Sequence, residues 1–491
     1  MIRTGFAVLA LALALVAVST AAGEPSRAAF APNDPLYARQ WYATQNRAFD
    51  FWAEHSLIAL LPPVRVAVID SGIDAGHPEF VGKIVAAKSF VGGSALRDEQ
   101  GHGTFVAGLI AAVVNNAEGI AGLAPSAELL IAKVVTADRT ISVEAEAKAI
   151  RWAVDNGADV INMSLGGVRD PLDPDRDTFS PLESAAIAYA ASKGVVVVAA
   201  VGNSDQAPEM PWRYASYPAA LPHVLGVSAL AKDGSAPTFS NRDAIYNDVA
   251  APGEGILSTL PRALTAEKPA CAEQGYSSCG PEEYREAEGT SFAAPQVSAA
   301  AAVLLAVRPS LRPEQVTAIL ERSAVDSTPA NGCRRCLYLR DSFTGWGRLD
   351  VVAALEALAA ELPPADPYET NDDAGERSYR LFFRGASRSL AATLDYWDDQ
   401  SDVYAVRLRR GQALYAGLKG AAGLDLSLAV WSPATESIDD LRHQELRVRE
   451  SSRPGPRQYL AYRAPAAGWY FLEAKVAAPG GGGYRLTLVK A

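Results

Sequence analysis

The sequence predicts a layered α/β domain with a mostly parallel sheet, followed by a smaller all-β sandwich domain. Between residue 64 and about residue 360, apolar segments typical of buried strands alternate with segments of helical character. The segment 361–373 is rich in proline and acidic residues. After it, the chain changes to short strand-like runs separated by turns rich in Gly, Pro and Asp. The two patterns predict two architectures joined by a linker.

Four runs of mostly Val, Ile, Leu and Ala predict the central strands of the first domain, because such runs suit strands covered on both faces of a parallel sheet. They are VRVAVI (64–69), LLIAKVV (129–135), DVINMS (159–164) and VVVVAAV (195–201). Residues 144–156 and 181–193 have helical composition. Each predicted helix ends at a glycine suited to a C-terminal cap.

Seven shorter runs after residue 378 predict the strands of the second domain. No internal repeat of 20–50 residues is visible, so we expect a sandwich. The runs are YRLFF, DVYAVRL, ALYAGL, LSLAVW, RQYLAY, GWYFLEAKV and GYRLTLV.

Composition and charge exclude several classes of function. Of the 491 residues, 49% are apolar and 21% are charged, which is ordinary for a globular protein. The net charge of −11 argues against a nucleic-acid surface, which needs clustered Lys and Arg. No run of basic residues suggests a membrane patch. We therefore expect no nucleic-acid partner and no membrane partner for the mature chain.

The N-terminus has the pattern of an export signal. Arg3 precedes an apolar run at 5–18, and small residues follow at 19–23, where a signal peptidase could cut. A membrane anchor is the alternative, but the run is short of the ~20 residues that span a bilayer. We predict a signal peptide at 1–23 and a secreted, extracellular protein.

An even number of cysteines in an exported chain favours disulfides. Cys271, Cys279, Cys333 and Cys336 allow three pairings. We favour Cys271–Cys279 and Cys333–Cys336, because each closes a local loop. A zinc site is the alternative, but the spacings do not form two matched CxxC pairs.

Three segments each surround a reactive side chain, in the order Asp, His, Ser. They are VAVIDSGID around Asp70, GHGTFVAG around His102 and GTSFAAPQVSA around Ser291. An acid, an imidazole and a hydroxyl are the groups that make a serine nucleophilic. Taken singly, each has a plainer explanation: a turn residue, a buried histidine and a helix N-cap. Pro295 is expected in the first turn of the helix that follows Ser291.

Together these segments resemble the subtilisin family of serine endopeptidases (peptidase family S8), in its thermitase-like branch. The resemblance runs from about Pro32 to Ala360 and implies a three-layer peptidase domain at 24–362. It also implies protein or peptide substrates, a monomer and no organic cofactor. Phe105, Phe292 and Gln296 depart from residues that are common in the family, but none of these positions is catalytic there.

The resemblance also implies a site around the three residues. Asn203, after the run VVVVAAV, matches the oxyanion-hole asparagine, with the Ser291 N–H as the second donor. Ser164, Leu165 and Gly166 match the strand that pairs with an extended substrate. Ser216 is expected near the floor of the S1 pocket. No acid is obvious there, so we expect apolar or aromatic P1 residues.

A structural calcium site is implied by VVNNAEGIAG (113–122), which resembles the family's high-affinity calcium loop. Hard cations bind clusters of oxygen atoms. By this resemblance, the side-chain oxygens come from Asp34, Glu79, Asn116 and Glu118, and the backbone oxygens come from Val113 and Ile120. A solvated loop with incidental acids is the alternative.

The tail at 366–491 resembles the bacterial pre-peptidase C-terminal domain. The matching residues are Tyr368-Glu369, Asn371-Asp372, Asp402-Val403-Tyr404, Gly411 and Gly468-Trp469-Tyr470. From the whole sequence we predict a secreted serine endopeptidase of broad specificity that acts through an acyl-enzyme. The alternative is a non-enzymatic extracellular binding or adhesion protein on a decayed protease scaffold.

Overall fold

The computed structural model describes residues 30–52, 55–58, 60–267, 278–279, 283–360, 367–397 and 399–491. The predicted signal peptide and Cys271 lie outside the described residues. The chain divides into two compact units. The first runs to Arg169 and resumes at Tyr189–Pro363, and the second comprises Asp170–Ala188 and Pro364–Ala491. The division at 363/364 falls within the segment predicted as a linker.

A seven-stranded parallel sheet forms the centre of the first unit, in the order β2-β3-β1-β4-β5-β6-β7. The four predicted runs become β1, β3, β4 and β5, which confirms the predicted fold class. The strands are β1 Val64–Asp70, β2 Ile84–Ser89, β3 Ala127–Lys133, β4 Val160–Met163, β5 Val196–Ala200, β6 Val224–Leu230 and β7 Val249–Pro252. A small antiparallel sheet contains β8 Ile256–Thr259, β9 Ser278–Cys279 and β10 Tyr284–Ala287.

Helices of the first unit, among them those at 102–111, 143–155, 290–307 and 313–323, pack against the parallel sheet. The α-helices are α1 Trp41–Gln45, α2 His55–Ile58, α3 His102–Ala111, α4 Val143–Asp155, α5 Pro181–Ser192, α6 Arg262–Glu267, α7 Thr290–Val307, α8 Pro313–Ser323 and α9 Val351–Ala357. Helix α7 packs across β1, β4, β5, β6 and β7 and also contacts α3. Every residue of α7 except Ser291 is buried. Its many alanines suit this position, because small side chains let a helix lie close to a sheet.

The second unit is a β-sandwich, as predicted. One sheet has the order β11-β13-β18-β15-β16 and the other β12-β19-β14-β17. Leucines of both sheets, among them Leu414, Leu472 and Leu486, share one buried core. The strands are β11 Tyr379–Leu381, β12 Ser387–Asp395, β13 Ser401–Leu408, β14 Ala413–Gly420, β15 Leu426–Trp431, β16 Arg447–Ser451, β17 Arg457–Arg463, β18 Gly468–Val476 and β19 Gly481–Lys490.

One of the two expected disulfides is described. Cys333 and Cys336 are joined, with their Cα atoms 5.3 Å apart. The other expected pairing, Cys271–Cys279, involves a residue outside the described part of the chain.

Candidate active site

Asp70 and His102 form a hydrogen-bonded pair at the carboxyl edge of the parallel sheet. Asp70 is the last residue of β1 and is 2% exposed, and His102 is the first residue of α3. Both carboxylate oxygens of Asp70 lie 2.9 Å from His102 Nδ1. An ionised carboxylate only accepts hydrogen bonds, so Nδ1 carries the proton and Nε2 is left as the basic nitrogen.

A close approach of α3 to the end of β1 holds this pair together. A Cβ atom at Gly103 would lie 2.2 Å from the carbonyl oxygen of Gly72 and 3.2 Å from Cβ of Asp70. Only glycine permits that spacing. The two glycines around His102 therefore have different roles, since Gly101 is the N-cap with φ of 90°.

The electrostatics of the pair favour a protonated imidazole. Burial lowers the pKa of His102 and is the largest single influence. The charge of Asp70, the hydrogen bond to Asp70 and the charge of Asp98 together outweigh it, so the pKa is raised above its ordinary value of 6.5. A third of the His102 side chain remains exposed, which leaves the ring accessible from solvent.

Ser291 lies beside this pair, in the first turn of α7. The ring of Phe292, the next residue, has its centroid 5.4 Å from that of His102. The Ser291 hydroxyl donates to the carbonyl oxygen of Ser164 at 3.1 Å. Among the described residues, no hydrogen bond joins Ser291 to His102. Such bonds are often loose in proteases without substrate and tighten when substrate binds.

Pro295 lies in the second turn of α7, not in the first turn as its sequence predicts. A proline there leaves the carbonyl four residues earlier, that of Ser291, without its helical N–H donor. The hydroxyl of Ser164 donates to that carbonyl oxygen at 2.8 Å. The carbonyl that the proline leaves unsatisfied is therefore bonded by the residue directly after β4, which explains why the position tolerates a proline.

Asn203 follows β5 and faces the start of α7. Its Oδ1 accepts from the backbone N–H of Thr290 at 3.0 Å and from the Thr290 hydroxyl at 3.1 Å. These two bonds fix the orientation of the amide and leave Nδ2 on the side of Gly289, where a Cβ would lie 3.4 Å from it. The amide is thus held as a hydrogen-bond donor beside Ser291.

The predicted substrate strand lies directly beside Ser291. Leu165 is half-buried and Gly166 is exposed. Gly167 and Tyr217 exchange backbone hydrogen bonds of 3.0 and 2.9 Å. The segment at 164–167 therefore lies beside the segment that contains Ser216. Ser216 is buried, and its Oγ accepts from Asn241 Nδ2 at 3.2 Å.

Asp98 is a buried residue of the site that the sequence reasoning missed. Its two oxygens accept five hydrogen bonds of 2.7–3.0 Å, from the hydroxyls of Ser71 and Thr104 and from the backbone N–H groups of Gln100, Gly101 and Thr104. Burial raises the pKa of Asp98, and these bonds act against the rise. Asp98 therefore ties the end of β1 to the first turn of α3. Its position four residues before His102 was the only available signal.

A network of buried polar side chains, also not predicted, connects β4 to α7. The Ser298 hydroxyl donates to Asn162 Oδ1 at 2.9 Å, and Asn162 Nδ2 donates to Ser164 Oγ at 3.0 Å. Ser164 then bonds the Ser291 carbonyl. The side-chain polar atoms of Asn162, Ser164 and Ser298 in this network each have a partner, as a rigid core network requires.

Comparison with known proteins identifies the family. The model of the subtilase family (Peptidase S8) matches residues 63–347, more than half of the chain. The chain belongs to the subtilase family. It is 34% identical to thermitase of Thermoactinomyces vulgaris over 278 residues, which are 56% of this chain and 85% of thermitase. It is 35% identical to subtilisin DY of Bacillus licheniformis over 295 residues, which are 60% of this chain and 91% of that protein.

Among solved structures, the prenylagaramide maturation protease PagA is similar at 28% identity and a TM-score of 0.47, with 61% of this chain and 95% of that chain covered. Membership of the subtilase family, together with the similarity to thermitase and subtilisin DY, makes this protein a serine endopeptidase. It therefore favours the enzyme over the binding-protein alternative.

Phe105, Phe292 and Gln296, which differ from the residues common in the family, all have packing or hydrogen-bond partners in this structure. Phe105 and Phe292 pack against each other with ring centroids 4.4 Å apart and ring planes at 50°, so the two side chains fill one space. Gln296 Nε2 donates to the carbonyl oxygens of Pro252 and Phe292, at 2.6 and 2.8 Å, and its Oε1 accepts from Asn46. The amide is therefore fully used in the core beneath Ser291.

The loop predicted to bind calcium wraps around two buried carboxylates. Asp34 accepts from the backbone N–H groups of Asn115 and Asn116, and Glu79 accepts from Ile120 N–H at 2.8 Å and from the Asn116 amide at 3.1 Å. Burial raises the pKa of Glu79 to about 7. The side chain of Glu118 is exposed, and only its N–H is engaged, to Asn116 Oδ1.

Proposed function

We propose that this subtilase is a secreted endopeptidase that cleaves peptide bonds with Ser291 as nucleophile, His102 as general base and Asp70 as the group that orients His102. The observation that carries the proposal is the placement of the Asp70–His102 pair next to Ser291, the single residue of α7 that is not buried. An accessible hydroxyl beside an imidazole that a carboxylate orients through Nδ1 is the arrangement needed for acyl transfer.

The proposal assigns a residue to each step of the reaction. Nε2 of His102 takes the proton of Ser291 as its oxygen attacks the peptide carbonyl, which requires the hydroxyl to turn away from Ser164. His102 then returns the proton to the leaving amine, and an acyl-enzyme remains. Water, activated by the same nitrogen, releases the acyl group.

The developing oxyanion needs donors that are already oriented. Asn203 Nδ2 and the Ser291 N–H supply them, and the bonds from Thr290 to Asn203 Oδ1 hold the amide in place. One such donor contributes roughly 10²–10³-fold to kcat. That scale was measured in subtilisin, a relative of this chain.

The substrate groove is proposed to lie along Ser164, Leu165 and Gly166, where the backbone of an extended peptide would pair in strand fashion. Backbone pairing accepts many sequences, which supports broad specificity. Among the described residues, neither Ser216 nor the segment 201–203 after β5 provides an acidic side chain, so we propose an apolar P1 preference.

We expect the secreted protein to clear casein and to lose that activity on treatment with a serine-directed sulfonyl fluoride. The same preparation should cleave fluorogenic peptides with Phe or Leu at P1 faster than peptides with Arg or Lys. Casein hydrolysis that resists the sulfonyl fluoride but stops with a metal chelator would contradict the proposal.

Asp98 is proposed as a positioning residue for the base. Asp98→Asn keeps the shape but removes an anion that favours the imidazolium, so the pKa of His102 should fall. The acidic limb of kcat/KM, which the raised pKa of His102 should set in the wild type, should therefore move to lower pH. We also expect kcat to fall roughly tenfold, because the amide cannot accept all five hydrogen bonds.

Glu144→Gln, which removes an exposed acid of α4, is the matched control and should leave the acidic limb in place. A loss of stability with an unmoved limb in Asp98→Asn would show that Asp98 is structural only.

We further propose that the loop at 113–121 holds Ca²⁺ with Asp34, Glu79, Asn116 and the backbone oxygens of Val113 and Ile120. Glu79 is fully buried and pairs with no Lys or Arg among the described residues, so a bound cation would balance its charge. Glu118, which the sequence suggests as a ligand, is not included, because its side chain lies on the surface.

Removal of calcium should lower the melting temperature of the inhibited enzyme by about 5 °C if free calcium had been ~100 times its Kd. The expected loss follows from binding to the folded state alone. Calorimetry with and without EDTA measures it, and Glu79→Gln should abolish the difference. Equal melting temperatures in the wild type would favour the solvated-loop alternative.

A further inference from the structure

The outer face of the four-stranded sheet in the second unit carries a row of three cations. Along each strand, residues alternate between the sandwich core and this outer face. The register places Lys419 of β14 between Arg457 of β17 and Arg485 of β19. All three are exposed, and none lies within 4.0 Å of a carboxylate of the described residues. The row spans ~10 Å, two strand spacings.

Stability alone does not account for this row. Like charges placed directly opposite one another on neighbouring strands destabilise a sheet. The one acid at an outward position of these four strands is Asp395 at the end of β12, four residues along the strand from Ala391, the partner of Arg485. The chain as a whole has a net charge of −11, so the row is a local reversal of sign. An anionic ligand would relieve the repulsion.

Two exposed tyrosines stand next to the cations on the same face. Tyr459 of β17 is 70% exposed and Tyr415 of β14 is 50% exposed. Tyr459 lies opposite Gly417, and a Cβ at Gly417 would be 3.2–3.3 Å from its ring atoms. The ring therefore lies over the glycine and presents a face to solvent. Exposed aromatic faces of this kind serve as stacking platforms for flat or ring-shaped ligands.

An open groove of about 470 Å³ runs beside the cation row. Lys419 and Arg485 line it together with the small or hydroxylated residues Ala391, Thr393 and Gly483. On the neighbouring rung, the hydroxyls of Ser389 and Thr487 lie 3.1 Å apart. The face thus combines a shallow groove, hydroxyl groups, cations and aromatic platforms.

We propose that this face binds an acidic polysaccharide, with sugar rings on Tyr459 and Tyr415 and carboxylate groups on the cation row. A neutral polymer would leave the three cations unused, and an acidic peptide would leave the two stacking platforms unused. A single-stranded nucleic acid also pairs rings with anions. It carries a phosphate at every unit, however, and the net negative charge of the chain disfavours so dense a charge. Guanidinium groups bind carboxylates with paired hydrogen bonds, which suits Arg457 and Arg485.

The test uses the full chain, inhibited by a sulfonyl fluoride, and polygalacturonate as the probe. Titration should give measurable binding that weakens as NaCl rises from about 50 to about 500 mM. Tyr459→Ala should raise Kd roughly tenfold, within the range that aromatic stacking gives to bound bases. The double variant Lys419→Glu, Arg485→Glu should raise it more.

Two matched controls lie away from this face. Tyr338→Ala removes a tyrosine that is 75% exposed in the first unit, and Arg449→Glu reverses an exposed cation on the other sheet. Both should bind like the wild type, and every variant, before inhibition, should retain peptide hydrolysis within about twofold. That activity reports the folding of the first unit, and an unchanged melting transition of each variant reports the folding of the second unit separately from binding. The proposal is overturned if wild type does not bind polygalacturonate, binds neutral dextran equally well, or binds oligothymidylate or polyglutamate more tightly.

Discussion

Replacement of Ser291 by alanine should lower kcat by roughly 10⁶-fold, the scale associated with loss of a triad serine or histidine. The alanine variant keeps the buried contacts of α7, because only the hydroxyl is removed and its present bond is a single one to the Ser164 carbonyl. Its melting temperature should therefore stay close to that of the wild type. The variant should lose both peptide hydrolysis and labelling by a fluorophosphonate. Stopped assays with a fluorogenic peptide measure the first loss, and the labelling reaction measures the second.

Ser192→Ala is a matched control, since that serine is exposed at the end of α5 and bonds only the Tyr189 carbonyl. It should label and cleave like the wild type. Stoichiometric labelling of the Ser291→Ala protein would assign the nucleophile to another residue.

Asp70→Asn should reduce kcat by about 10⁴-fold while the fold is retained. The amide can donate to Nδ1 of His102, which would place the imidazole proton on Nε2 and remove the base that faces Ser291. The loss should be largest at neutral pH and below. At high pH, hydroxide can take over part of the role of the base, so a pH profile of kcat measures the effect and its origin.

Asp74→Asn changes a neighbouring acid that bonds the N–H groups of Gly76 and Arg262, not the imidazole. Its activity should stay within tenfold of the wild type. A comparable collapse in both variants would mean that local folding, not the tautomer of His102, explains the loss in Asp70→Asn.

The fold was predictable because burial leaves a direct mark on composition. β1, β3, β4 and β5 lie in the interior of the sheet and are apolar on both faces, so their runs stand out. The edge strand β2 does not, because half of its side chains face solvent. The grouping of Asp170–Ala188 with the second unit was not predictable either, since it depends on contacts made far along the chain.

The residues of the candidate site also fall into two groups: those with a local sequence signal and those whose role depends on contacts with distant residues. Asp70, His102 and Ser291 can be proposed from the sequence because each stands in a distinctive local segment. Asp98 was missed because its role arises from contacts with Ser71 and Thr104 that only folding creates. Pro295 was misplaced by one helical turn because its cost is removed by Ser164, a residue 131 positions earlier in the sequence. A local sequence pattern cannot show that a distant residue will supply the hydrogen bond that a proline removes.

The bond between Ser164 and the Ser291 carbonyl has a consequence for how the enzyme responds to its substrate. In the proposed mechanism, Ser291 and the proposed substrate strand at 164–166 are joined by this hydrogen bond, so a peptide that shifts the strand should also shift the attacking oxygen. The same movement would then align both the scissile bond and the oxygen that attacks it. Badly seated peptides would lose reactivity along with affinity, and selectivity among peptides would appear in kcat as well as in KM.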